Sequence, residues 1–153
     1  MVQVLFVCTG NICRSPMAEA VFRQMVAEEG LSDRIAVDSA GTGSWHVGEP
    51  PHPGTLKVLR RESIPTEGLV ARAISPADFD RFDYIVALDS GHMAQLRRMA
   101  RPGCRARLRM MMEGIPESPG ADVPDPYYTG QFDLVYEMIR KGCRALLDEV
   151  RRR

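Results

Sequence analysis

"VLFVCTGNICRSPMAEAVF", from Val4 to Phe22, divides into three parts of different character. The run that leads into it, "VQVLFVC" (Val2 to Cys8), is almost continuously apolar and rich in β-branched residues. That pattern predicts a strand covered on both faces, and hence a central strand of a sheet. A short polar loop follows, holding a second cysteine, Cys13, and Arg14. Ser15 and Pro16 then read as a helix opening, a hydroxyl cap and a proline at the first helical position, while Met17, Ala20, Val21, Phe22 and Met25 supply an apolar helical face.

The alternation continues along the chain. Gly30 ends the first helix, and "RIAVDSAG" (Arg34 to Gly41) reads as a second strand. Glycines and prolines make a loop of Gly41 to Gly54, around Trp45 and His46. A helix is expected from about Pro53 to Ser63, a helical turn near Pro76 to Phe82, and a buried strand over "DYIVALD" (Asp83 to Asp89). Met93, Leu96 and Met99 mark a further helix, and "RARLRMM" (Arg105 to Met111) an edge-like strand. Glu113 to Tyr128 has no periodicity, and a loop of that length within a compact domain is usually functional or disordered. From Thr129 onward, Phe132, Val135, Met138, Ile139, Leu146, Leu147 and Val150 form an amphipathic stripe. The prediction is one α/β domain over residues 1–153, three layers deep, with a parallel sheet flanked by helices on both faces. Ligands of such sheets bind beyond the carboxyl ends of the strands, where the loop after Cys8 sits.

Composition removes several classes of function. Twenty basic residues balance 20 acidic ones, so no net field gathers nucleic acid or an anionic membrane, and no stacking motif accompanies the arginines. The exposed arginines, Arg151 to Arg153 among them, read as solvated. No apolar stretch approaches the roughly 20 residues that span a bilayer, and the start lacks a basic signal-peptide region, which predicts a cytoplasmic protein. Four cysteines, Cys8, Cys13, Cys104 and Cys143, are too few for a disulfide scaffold in a chain of this size. The single C-x4-C spacing, without a second pair, does not suggest zinc. Cys104 and Cys143 read as packing residues, and His46, His52 and His92 as surface or structural ones.

Between Cys8 and Arg14 the spacing is Cys-x5-Arg, followed by Ser15. A strand ending in cysteine, a glycine-containing turn and a helix start describe a loop whose amide N–H groups can converge on one anion. Those amides, the helix N-terminus and the Arg14 guanidinium favour thiolate over thiol at Cys8, which makes Cys8 a candidate nucleophile. Arg14 can clamp two oxygens of a phosphoryl group, Ser15 can donate a hydrogen bond to the Cys8 sulfur, and Asn11 can hold the loop's shape. Attack on phosphorus requires a proton donor for the departing oxygen. "VPDPYY" (Val123 to Tyr128) offers Asp125, fixed between Pro124 and Pro126. This chemistry calls for no metal and no cofactor.

With those residues in view, the chain resembles the low-molecular-weight protein tyrosine phosphatases over essentially its whole length. "VLFVCTGNICRSPMAEA" resembles the family's phosphate loop, "DSAGTGSWHVGEPP" its variable loop, "FDYIVALD" its third strand and "VPDPYY" its acid loop. The resemblance implies a four-stranded parallel sheet and a cysteinyl-phosphate mechanism with Cys8 as nucleophile, Arg14 as clamp and Asp125 as general acid and base. It implies a binding loop of Thr9, Gly10, Asn11, Ile12, Cys13 and Ser15, with Ser39 supporting Asn11 and with Trp45 and Tyr127 walling a cleft for an aromatic ring. The partners implied are phosphotyrosine proteins or peptides and phosphate. A disulfide between Cys8 and Cys13 would switch such an enzyme off reversibly.

Two stretches depart from the family pattern. "PHPG" stands where "PDPR" is common, bringing His52 and Gly54, and Leu69 stands where many members have His, so a thinner polar network behind the phosphate loop is expected. Ile12 lies where the family's protein-arginine phosphatases carry Thr, and an apolar side chain there favours a phenol ring over a guanidinium. Protein-arginine phosphatase is the alternative activity. Arsenate reductase, which shares the loop, fits less well, because no cysteine lies between Cys13 and Cys104.

Overall fold

A computed structural model of the chain describes residues 1–152; Arg153, counted above among the solvated arginines, lies outside the described residues. Four strands, β1 (Val2–Cys8), β2 (Ile35–Gly41), β3 (Tyr84–Ala87) and β4 (Arg107–Met110), form one sheet in the order β2-β1-β3-β4, every pairing parallel. The central position expected for β1 is observed, and β4 is an edge. Among the described residues six helices connect and flank them: α1 (Arg14–Glu28), α2 (Pro53–Arg61), α3 (Asp78–Arg81), α4 (Ser90–Met99), α5 (Pro126–Thr129) and α6 (Phe132–Arg151).

The two-residue period of β1 sorts its side chains between two cores. Val4, Phe6 and Cys8 face a core built with α1, α2 and α6, where the Phe6 and Phe22 rings meet edge to face at 5.5 Å. Leu5 and Val7 face the opposite way, into a core with Phe79 of α3 and Met93 and Leu96 of α4. Helices therefore cover both faces, as the apolar run predicts. No described helix is long and apolar enough to cross a membrane.

Chain order and spatial order part company between β1 and β3, because β1 is followed through α1 by a neighbour on one side and β3 lies on the other. A crevice opens at the carboxyl ends of strands at such a switch point. The loop after β1 and the head of α4 after β3 both reach that crevice.

Several boundaries differ from the sequence reading. The first helix begins at Arg14, one residue before the expected cap, so Ser15 lies inside it and caps nothing. Its hydroxyl is used elsewhere, as described below. Within the long loop Glu113 to Tyr128, Gly120 N–H donates to the Met112 carbonyl at 3.1 Å and Val123 N–H to the Leu88 carbonyl at 2.9 Å. The loop is held in its middle, at Gly120 and Val123, and finishes in α5, a four-residue helix that the sequence pattern does not reveal.

Candidate active site

The loop from Cys8 to Arg14 is shaped from outside. The Cys8 carbonyl accepts from Thr42 N–H at 2.9 Å, Thr9 from Gly43 N–H at 2.9 Å, Ile12 from His52 N–H at 2.7 Å, and Cys13 from the Thr55 hydroxyl at 3.1 Å. With these carbonyls turned outward, the intervening amides are left to face the concave side. Gly41 permits the close approach, since a Cβ there would lie 2.7 Å from the Thr9 carbonyl oxygen. Asn11 adopts a left-handed φ of 58°, a conformation asparagine tolerates better than most residues.

Asn11 is fixed by its side chain. Its Oδ1 accepts from Arg72 N–H at 2.9 Å, so its Nδ2 is the donor end, giving one hydrogen to Ser15 Oγ at 2.8 Å and one to Ser39 Oγ at 2.9 Å. The direction of the remaining bonds follows. Ser15, already accepting, has its own proton to offer Cys8 Sγ at 2.9 Å, and Ser15 N–H adds a longer contact to the same sulfur at 3.4 Å. Ser39 gives its proton to Glu19 Oε1 at 2.6 Å, and Glu19 is paired in turn with Arg23. Burial raises the Glu19 carboxyl above its usual range, opposed by Ser39 and Arg23.

Leu69 joins the apolar core, and polar support runs instead through Glu19 to Arg23.

Arg14 is nearly buried, and its guanidinium is held in one orientation by two acceptors. Nη1 donates to Asp89 Oδ2 at 2.8 Å and to the Val123 carbonyl at 2.9 Å, leaving Nε and Nη2 as the donors still available. Nη2 lies 3.6 Å from Asp125 Oδ2. Asp125 caps α5, its Oδ1 accepting from Tyr127 N–H at 3.1 Å, which positions the carboxyl across from Cys8 and Arg14. Asp122 steadies the same loop from the other side by accepting from Ser90 N–H at 2.8 Å. Asp89, at the head of α4, is pulled toward the acidic form by burial, yet its bonds from His92 N–H and Arg14 outweigh this and hold it below the usual carboxylate range.

These groups share one pocket of about 260 Å³, lined by Cys8, Thr9, Gly10, Ile12, Cys13, Arg14, Trp45, His46, Asp125, Tyr127 and Tyr128. Its floor is the loop and its mouth is aromatic. Trp45 is 74% exposed and Tyr128 82%, an unusual amount of ring surface to leave in water. The Trp45 ring folds over Gly43, where a Cβ would come within 1.8 Å of it. Of the catalytic, binding and supporting residues expected from the sequence, Ser39, Asn11 and Ser15 stand outside the lining, joined to one another through the Asn11 amide. Burial, reinforced by Cys8 and Asp125, pushes the Cys13 thiol up to about 12.

Sequence reasoning overlooked Asp89, Glu19, Tyr128 and two histidines. His46 lines the pocket, over Gly10, a place that the expected surface or structural role does not anticipate, and His92 takes the structural alternative, buried with Nε2 2.8 Å from Thr9 Oγ1. His52 does prove structural. It caps α2 by accepting from Gly54 N–H at 3.0 Å, stacks on Phe132 at 5.0 Å and meets Tyr127 edge-on at 5.9 Å. The departure at "PHPG" is thereby explained, because the Phe132 ring occupies the space beside Gly54.

Comparison with known proteins identifies the family. The family model for low molecular weight phosphotyrosine protein phosphatase matches residues 3–153. The low molecular weight protein-tyrosine-phosphatase YfkJ of Bacillus subtilis is 49% identical over 99% of this chain and 97% of its own, and its crystal structure superposes with a TM-score of 0.95. PtpA of Staphylococcus epidermidis, another protein described as a low molecular weight protein-tyrosine-phosphatase, is 45% identical over 98% of this chain and 94% of its own. The solved structure of a drosophila arginine phosphatase is also similar, at a TM-score of 0.87 and 35% identity, covering 96% of each chain. A family model that matches nearly the whole chain, with relatives 45–49% identical over almost its full length, makes this chain a member of the low molecular weight phosphotyrosine protein phosphatase family.

Proposed function

We propose that the protein, acting as one domain over residues 1–153, hydrolyses phosphotyrosine in proteins or peptides, and small aryl phosphates, through a cysteinyl-phosphate. One observation carries the reading: Cys8, Arg14 and Asp125 line a single pocket whose mouth is formed by Trp45, Tyr127 and Tyr128. In the first step the Cys8 thiolate attacks phosphorus. The sulfur–phosphorus bond forms as the phosphorus–oxygen ester bond breaks, and Asp125 delivers its proton to the departing phenol oxygen. Loop amides and the free donors of Arg14 stabilise the charge on the phosphoryl oxygens, and Arg14 needs no reorientation to do so.

In the second step water attacks the phosphocysteine. Asp125 takes its proton, the sulfur–phosphorus bond breaks, and Ser15 donates to the leaving sulfur. Thr9, Gly10, Asn11, Ile12 and Cys13 complete the cradle, Ser39 holds Asn11, and no metal or cofactor takes part. Cys8 must be reduced to act, which suits a cytoplasmic setting.

Ile12 favours a phenol ring over phosphoarginine, since it offers the leaving group no hydroxyl. The likeness to the drosophila enzyme keeps protein-arginine phosphatase as the second reading. Hydrolysis of para-nitrophenyl phosphate, a phosphotyrosine peptide and phosphoarginine, each with and without chelator, separates the two. We expect phosphotyrosine to turn over well and phosphoarginine poorly, with no effect of chelator. Cys8→Ser loses activity entirely, and Asp125→Asn loses most on substrates with poor leaving groups. Preferred hydrolysis of phosphoarginine would replace the reading, and activity in Cys8→Ser would end the mechanism.

A further inference from the structure

His92 lies one turn into α4 and is 3% exposed. Its surroundings connect both ends of the phosphate loop. Nε2 is 2.8 Å from the hydroxyl of Thr9, the residue directly after Cys8. Its backbone N–H donates to Asp89 Oδ1 at 2.9 Å, and the other Asp89 oxygen receives Arg14 at 2.8 Å. Thr9 and Arg14, the first and last residues of the loop beyond the nucleophile, are thus joined through a second route that bypasses the loop itself.

We propose that His92 is a positioning residue, a brace that couples Thr9 to the Asp89–Arg14 pair so that the nucleophile end and the clamp end of the loop hold one spacing. The proposal rests on the phosphatase reading of Cys8 and Arg14.

The brace requires a neutral imidazole in one tautomer. Nδ1 is 3.2 Å from Asp89 Oδ1, close enough for electrostatic attraction but too poorly aligned for a hydrogen bond. A proton on Nδ1 faces that carboxylate favourably, whereas a bare lone pair there would oppose it. Nε2 is then the acceptor, and the Thr9 hydroxyl donates to it. Charged groups approach from three elements: Asp89 of the α4 cap, Arg14 of α1, and Asp122 and Asp125 of the acid loop. Burial outweighs the three carboxylates and lowers the imidazole to about 4, so the ring stays neutral around physiological pH.

The test is a double-mutant cycle on para-nitrophenyl phosphate hydrolysis with Thr9→Val, His92→Leu and both, and with His92→Gln as the conservative variant. His92→Leu should lower kcat roughly tenfold with a smaller change in KM, and His92→Gln, which can still reach Thr9, should recover part of the loss. Thr9→Val and the double variant should have nearly equal rates, because removing Thr9 leaves the brace nothing to hold. Losses that simply multiply would overturn the brace while leaving the phosphatase reading intact. A wild type without aryl phosphatase activity would bring down the reading and the brace together. Should His92→Leu fail to fold, nitrogen NMR of the wild-type imidazole decides: a neutral ring protonated on Nδ1 near neutral pH is expected, and a proton on Nε2 is incompatible with the proposal.

Discussion

Gly54→Ala is a substitution that helix propensity and packing predict with opposite sign. Gly54 is the second residue of α2, and replacing a helical glycine by alanine ordinarily stabilises by about 0.5–1 kcal/mol. Here the new Cβ would lie 2.5 Å from Cε2 and Cζ of Phe132 and 2.7 Å from Cδ2. Such contacts cannot stand, so the ring has to swing away, giving up its stack on His52, or α2 has to shift. Overpacking of this kind costs about 1–3 kcal/mol, and a mid-range cost of about 2 kcal/mol exceeds the helical gain and leaves a net loss of about 1–1.5 kcal/mol. For a chain of this size that is a fall in Tm of roughly 2–6 °C. Because His52 also meets Tyr127, the KM for aryl phosphates should rise with it. Thermal and urea unfolding of wild type, Gly54→Ala, Phe132→Ala and the double variant measure the effect. With Phe132 truncated, Gly54→Ala should become neutral or stabilising. If it stabilises the wild type, or costs the same in both backgrounds, the steric account of "PHPG" is wrong.

Glu19 gives a pH-dependent expectation. Its folded-state pKa is raised above the ordinary 4.5, so the folded chain binds that proton more tightly than the unfolded one. The stability of wild type relative to Glu19→Gln should therefore be greatest in acid and decline as pH rises through the raised value, and urea unfolding across a pH series would contradict this if the difference grew toward neutrality. Trp45→Ala should raise KM for para-nitrophenyl phosphate by about two- to tenfold with little change in kcat, the worth of one aromatic contact, and an equal effect on a small alkyl phosphate would remove Trp45 from the aryl wall. Iodoacetamide near neutral pH should label Cys8 and the half-buried Cys104 while sparing Cys13 and Cys143, whose thiols burial pushes up, and peptide mapping that finds Cys13 labelled as fast as Cys8 would refute this.

What could be read directly from the chain was local. The apolar run Val2 to Cys8 states its burial in its own composition, and the crossover rule then places the loop after it at the ligand end of the sheet. Asp125 was legible because two prolines and a long aperiodic loop single it out. Ser15 was misplaced as a cap because its hydroxyl, suited to that role, is taken by Cys8 and Asn11. Glu19 reads as an ordinary helix residue until Ser39, 20 positions on, arrives beside it. His92 is likewise set by a partner 83 positions away, and no spacing rule reaches that far. Helix α5 escaped notice because four residues are too few to establish a period.

The outward carbonyls of the phosphate loop tie it to Thr42, Gly43, His52 and Thr55, which belong to later segments of the chain. A peptide spanning only the loop would have none of these restraints, so the concavity is a property of the folded state alone. Oxyanion occupancy and global unfolding are consequently linked equilibria. A ligand at about a hundred times its dissociation constant adds about 2.7 kcal/mol to the unfolding free energy, so inorganic phosphate bound in this cradle would stabilise the whole fold and would raise Tm in proportion to the logarithm of its concentration.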